Sequence, residues 1–168
     1  DLGDKLELRK VVLHASHDNH NGIGAGFGFP VRFKVIASNR EDFSRSQVLV
    51  DRSGEDFVNP GLIPVELTVR SSARFLRIEA TRLAKRSNDY IFALDELRVL
   101  DEEGLNLAEK KKVIALDSIE APNRWTKANL TDGKWAKSKS PANDGKLAEL
   151  RKERQSFVES LRSTAERE

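Results

Sequence analysis

All three histidines of this 168-residue chain stand close together, at His14, His17 and His20, with Asp18 among them. Imidazoles beside a carboxylate can ligate Zn²⁺. The spacing, two residues between successive histidines at a strand end, is not the i,i+4 pair that a helix presents to a metal. His14 continues the run Val11–Leu13 and turns to the opposite face from its neighbours, so the plainer reading is a polar loop preceded by one strand histidine. No Ser or Cys sits in a nucleophile elbow, which leaves a catalytic triad without its centre. Residues 22–28 hold a G-x-G-x-G pattern. A dinucleotide site needs a helix after such glycines, but Phe29, Pro30 and an alternating strand follow. The glycines then describe a long loop with positive φ at several places, which also lets backbone approach a ligand closely. Phe29 reads as core. Phe27 reads equally as a loop anchor or as a ring that stacks on a sugar. Asn88, Asp89 and Tyr90, the only tyrosine, combine amide, carboxylate and aromatic groups. That set holds sugars by hydrogen bonds to hydroxyls and stacking on the ring face, and it also shapes turns. Glu96 lies in a β-rich run, where pairing with Arg98 or Arg77 is the structural alternative to a functional role.

The elements that must position these groups are short strands. Leu6, Leu8, then Val11, Leu13 and Ala15 alternate with a one-residue slip that signals a bulge or a break. Val31, Phe33, Val35 and Ala37 alternate cleanly, as do Val65, Leu67, Val69 and Leu76, Ile78, Ala80. Residues 47–50 form a further β-rich run. Residues 91–100 are apolar on both faces, as a central strand would be, and 113–116 are another candidate strand. Gly, Pro, Asn and Asp cluster between these runs, which predicts an all-β antiparallel sandwich or barrel. Residues 136–145 read as a linker. Residues 146–168 read as an amphipathic α-helix with Leu147, Leu150, Phe157, Val158, Leu161 and Ala165 in one stripe and Asp144 as N-cap.

Composition narrows the function classes. Cysteine is absent, which excludes disulfides, thiolate chemistry and Cys-type zinc sites. Twenty-nine basic and 27 acidic residues give a net charge of +2, too balanced for an electrostatic nucleic-acid footprint. From Lys134 onward nine basic residues face six acidic ones, so the excess belongs to the tail. No apolar run approaches the ~18 residues of a membrane span. Methionine is absent even at position 1, and the expectation is a processed or excised piece of a longer protein.

The opening Asp1-Leu2-Gly3, the stretch GIGAGFGFPVRFKVIASN at 22–39, ARFLRIEATRLA at 73–84 and NDYIFALDELRVLD at 88–101 together resemble a discoidin domain. These domains are also called coagulation factor V/VIII C-terminal-like or galactose-binding-like. The closest version is the accessory module of large bacterial secreted proteins, including α-L-rhamnosidase-like glycoside hydrolases, to which LDSIEAPNRWTKANLTDG at 116–133 is similar. The resemblance covers residues 1–135 and implies a jelly-roll sandwich. In the family order a segment like 118–135 comes first. Its place at the end implies either a circular permutation or a junction between two such units. The resemblance further implies a structural Ca²⁺ held by Glu96 and the turn containing Asp132, since hard oxygens suit that ion. It also implies a ligand site at one end of the sandwich, formed by His17, Asp18, His20, Asn21 and Phe27 with Asn88, Asp89 and Tyr90.

The expected function is a non-catalytic carbohydrate-binding module of a larger, multidomain, extracytoplasmic protein. Its partners would be a glycan and the neighbouring domains. The alternative is a structural spacer or protein-interaction domain without a ligand, followed by a His-based metal-dependent hydrolase. Fold by itself selects none of these.

Overall fold

The computed structural model describes residues 1–122 and 125–136. The linker expected at 136–145, apart from Ala136, and the helix expected at 146–168 lie outside the described residues. Within them the chain is all-β and antiparallel, with ten strands: β1 (Leu6–His14), β2 (Ser16–Asp18), β3 (Gly24–Phe27), β4 (Arg32–Ser38), β5 (Ser46–Arg52), β6 (Val65–Ala73), β7 (Phe75–Arg82), β8 (Ala84–Lys85), β9 (Tyr90–Ile91) and β10 (Glu96–Leu100).

Two three-stranded sheets carry the fold, ordered β10-β1-β6 and β5-β4-β7. Each has a strand of alternating pattern at its centre. On β1, Val11 sits between Val99 and Leu67, and Leu13 lies opposite Leu97. On β4, Phe33, Val35 and Ala37 pair with Ala80, Ile78 and Leu76 of β7. Period-two alternation sends these rows to one face of each sheet. They meet in a single core of Leu8, Val11, Leu13, Phe33, Val35, Ala37, Leu67, Val69, Leu97 and Val99, so the sheets pack as a sandwich. The phase slip read near Leu8 is a register shift between Leu8 and Lys10 against β6.

Two strand expectations are corrected. Residues 91–100 do not form one central strand: they divide into β9 and β10, and β10 is the edge of its sheet. The chain leaves β geometry at residues 92–95 because Ala93 and Asp95 give their N–H groups to Gly28 and His14 carbonyls, each at 2.8 Å, outside any ladder. Residues 113–116 form no strand, and Ile114 and Leu116 are exposed. Their alternation finds no partner strand, and a lone strand has nowhere to place its backbone hydrogen bonds.

The last described stretch folds back onto the sandwich beside β10. Lys110 N–H donates to Thr131 O at 2.7 Å, the Thr131 hydroxyl donates to Lys111 O at 3.0 Å, and Leu130 packs on the core.

Because Phe33 is fully buried at the centre of this core, Phe33→Ala should lower the unfolding free energy by about 3–5 kcal/mol. Val48→Ala, half-exposed on edge strand β5, should change it by less than about 0.5 kcal/mol. Urea unfolding followed by far-ultraviolet circular dichroism measures both, and equal losses would contradict this placement of the core.

Candidate functional site

Three connections gather at the end of the sandwich where β1 finishes: the β2–β3 hairpin, the loop around residues 53–64, and the segment 83–95. Packing under them sets their positions. Phe29, which follows the glycine run, meets Phe33 edge-on with ring centroids 5.9 Å apart, and both meet Phe57 at 5.8 and 5.5 Å. Phe57 N–H donates to Val31 O at 2.7 Å, fixing the second loop to the same base. Gly28 has φ +67°, and a Cβ there would stand 2.7 Å from the Ala93 Cβ and 2.9 Å from its nitrogen. Glycine is therefore required for the third segment to approach. At Gly26 the space of a missing side chain is filled by Asn59.

The hairpin and the 83–95 segment are joined at their tips, where the Asn21 amide donates to the Ser87 hydroxyl. Asn21 takes a left-handed φ of 51° in a short 3₁₀ turn at His20–Gly22, a conformation that asparagine tolerates better than most residues. Asp18 holds the entry to that turn, accepting the His20 N–H at 2.8 Å. His17, on β2, and His20 are both exposed. Asn88 is exposed, and the Tyr90 side chain is 66% exposed on β9, opposite Lys85.

The expected residues thus divide into groups with different standing. His17, His20, Asn88 and Tyr90 are exposed around the joined loops. Asp18 and Asn21 build the hairpin's shape. Asp89 is engaged in a fork: Arg86 Nε donates to Oδ1 at 3.0 Å and a second guanidinium nitrogen donates to Oδ2. That fork holds the Asp89 carboxyl below the usual range. Phe27, the last residue of β3, is only 8% exposed, so of its two readings the loop anchor fits and the stacking ring does not. Phe92, two residues beyond Tyr90, is partly exposed and was not singled out from sequence. Its place two positions on from the chain's only tyrosine was the available signal.

A second cluster lies where β10 begins. Glu96, opposite His14 across the β1–β10 ladder, is fully buried. Both its oxygens accept the Gly133 N–H, at 3.2 and 3.3 Å. It pairs with neither arginine expected of it: Arg98 instead lies over the Trp135 ring, 5.5 Å from its centroid, and Arg77 lies over Phe43. Burial lifts the Glu96 carboxyl to about 7, with the charges of Asp132 and Asp95 acting in the same sense against the Gly133 bond and Arg98. Asp95 accepts the Ala136 N–H and is also raised, chiefly by burial, with His17 pulling it the other way. His14 is 5% exposed, packs on Trp135 at 4.4 Å, and has a buried Nε2 without a hydrogen-bond partner among the described residues. Burial, then the Arg98 charge, lowers its pKa to about 4.

Three carboxylates, Glu96, Asp95 and Asp132, therefore repel one another near the end of β1, and their oxygens have the hardness that Ca²⁺ selects. Among the described residues no three His, Asp or Glu side chains form a group able to hold a metal by themselves. Glu96 and Asp132 could hold such an ion only with main-chain carbonyls completing the shell. The three histidines do not converge, since His14 is buried on Trp135 while His17 and His20 face outward.

No protein-family model, curated protein or solved structure matches the chain.

The two buried groups predict opposite pH limbs in metal-free buffer. Glu96 is raised from 4.5 to about 7 on folding, so its contribution is full below pH ~4.5 and is lost as pH rises through 7. His14 is lowered from 6.5 to about 4, so its contribution is full above pH 6.5 and is lost as pH falls toward 4. Glu96→Gln should therefore gain stability over the parent at pH 8, with the gain fading toward pH 5. His14→Phe should flatten the acid limb only. Melting temperatures from pH 4 to 9 test this, and a Glu96→Gln effect independent of pH would contradict it.

Proposed function

We propose that this chain is a non-catalytic carbohydrate-binding module of the discoidin, galactose-binding-like kind, carried by a larger extracytoplasmic protein. Its site is the loop end formed by residues 17–28 and 86–92. The observation that carries the reading is the exposed Tyr90 ring, which stands on a segment tied by Asn21 and Ser87 to the hairpin bearing His17 and His20. An aromatic ring covers the apolar face of a pyranose. The imidazoles and the Asn88 amide supply donors and acceptors for vicinal hydroxyls. Both sets stand on loops fixed to a rigid base, so little conformational freedom is lost on binding. Phe92 widens the apolar surface next to Tyr90.

Ca²⁺ in this reading is structural, held through Glu96 and Asp132 with main-chain oxygens. It offsets the mutual repulsion of the three carboxylates beneath the loops. The ligand-free spacer is the rival reading, favoured by the exposed Ile114, Leu116 and Ile119 along one irregular segment. That is more apolar surface than a solvated connection needs.

Two experiments test the proposal. Calorimetric titration of neutral plant and bacterial oligosaccharides should give a Kd in the ~mM to µM range, as a few hydrogen bonds and one stacked ring provide. The His17→Ala/Tyr90→Ala double variant should lose at least about tenfold, or ~1.4 kcal/mol. Binding that this variant keeps in full removes the site from this end, and no glycan binding at all favours the spacer. Separately, Ca²⁺ should raise the melting temperature at pH 8 and less at pH 5.5, where protons compete for Glu96. An unchanged melting temperature on adding EDTA or excess Ca²⁺ contradicts the ion's role.

A further inference from the structure

A cleft of about 670 Å³ lies against the edge strand β10, bordered by residues 106–110 on one side and 132–135 on the other. None of the loop-end residues lines it, and its volume suits one or two sugar rings. Its polar groups are dominated by donors. Arg98 lies over Trp135, so the guanidinium is held in place by packing rather than by an acid. Among the described residues neither Arg98 nor Lys134 has an acid within ion-pair distance. The Asn106 Oδ1 already accepts the N–H groups of Val99 at 3.1 Å and Ala108 at 3.2 Å. That orients the amide and leaves its nitrogen as the donor still to be used. Lys110 stands at the rim with a left-handed φ of 56°, pinned by its own N–H to Thr131 O. A non-glycine residue held in that region marks a position fixed by its surroundings.

The two acids in the lining are partly engaged. Glu109 Oε1 lies 3.9 Å from the Lys110 ammonium. Asp132 accepts the Lys134 N–H at 2.8 Å and the Asn129 amide at 3.5 Å. What remains open to a ligand is a guanidinium fork, an ammonium and an amide NH₂, so the complementary group is an anion with several acceptor oxygens.

We propose that this cleft is a second binding site, distinct from the loop end, which takes an anionic saccharide unit through its carboxylate or sulfate. Arg98 binds the anion as a fork, with Lys134 and the Asn106 amide completing the contact. The inference rests on the carbohydrate-binding reading above, from which it differs in place and in charge of ligand.

The test uses the full chain and three probes: a uronate trisaccharide, a sulfated trisaccharide of matched length, and the neutral trisaccharide. The two charged probes separate carboxylate from sulfate, and binding of either supports the site. Arg98→Met keeps an apolar stem over Trp135, and Lys134→Glu changes an exposed residue without touching the core. Each should weaken the charged probe at least tenfold, while His17→Ala/Tyr90→Ala leaves that binding unchanged. Raising salt from 50 to 500 mM should weaken it as well. The Trp135 indole N–H resonance, assigned against a Trp125→Phe variant, should shift on adding the charged probe. Full retention of charged-probe binding by both cleft variants overturns the inference, as does inorganic sulfate binding as tightly as the sulfated sugar. Neutral binding with no charged binding overturns the second site alone. No binding of any probe overturns it together with the carbohydrate-binding reading.

Discussion

The loop end of this sandwich stands on three phenylalanine rings. Phe33 is fully buried near the start of β4, and Phe29 and Phe57 pack against it and against each other. Phe29 closes the glycine-rich hairpin, and Phe57 anchors the next long loop. Aromatic triangles of this kind contribute beyond their buried area because edge and face meet in favourable orientations. The consequence is mechanical: two connections that come from different parts of the sequence share one rigid base. The third, residues 83–95, reaches that base because Gly28 offers a bare backbone to Ala93.

Beneath the loops sits a costly electrostatic arrangement. Among the described residues Glu96 is buried with the Gly133 N–H as its hydrogen-bond donor, opposite a buried imidazole whose Nε2 has no partner. Burying a charge without a partner costs several kcal/mol, so such a group holds its proton near neutrality instead. The segment 133–136 lies over this pair and gives its N–H groups to Glu96 and Asp95 while Trp135 covers His14. A stretch 37 residues beyond Glu96 in sequence thus completes the shoulder on which the loop end rests.

The sequence was informative where a single periodicity met a single environment. β4, β6 and β7 show clean alternation, and each has one face in the core. The bulge in β1 was visible because the slip shifts every later side chain to the other face. The apolar run at 91–100 misled because its two-sided pattern has two causes. In β10 one face fills the core, while residues 92–95 leave the ladder to bond with the hairpin. Alternation at 113–116 misled for the opposite reason, since pattern without a partner strand makes no sheet. At the loop end, the residue types pointed to His17, Asn88 and Tyr90. Sequence read Phe29 as core but left Phe27 open between anchor and stacking ring, because a ring between two glycines suits either and only packing buries it. The Arg86–Asp89 fork was equally hidden: an Asp at a turn is compatible with a ligand, a cap or an ion pair, and geometry decides.

The division of labour at the loop end follows from these constraints. A polar group can meet a ligand only if the fold has not already used its hydrogen-bonding capacity. Asp18 and Asp89 are the strongest acceptors in the two loops, and both are committed to their own loops, one to a backbone N–H and one to a guanidinium. That commitment fixes the shapes of the loops and leaves the exposed groups His17, His20, Asn88 and Tyr90 to face outward. In the carbohydrate-binding reading proposed above, hydrogen-bonding groups beside exposed rings would select a ligand by the arrangement of its hydroxyls. The cleft beside β10 differs: Glu109 faces Lys110, Asp132 accepts the Lys134 N–H, and Arg98 and Lys134 have no acid within ion-pair distance among the described residues. The two proposed sites therefore differ in the charge of ligand they would suit, and the difference traces to which side chains each segment consumes in holding itself in place.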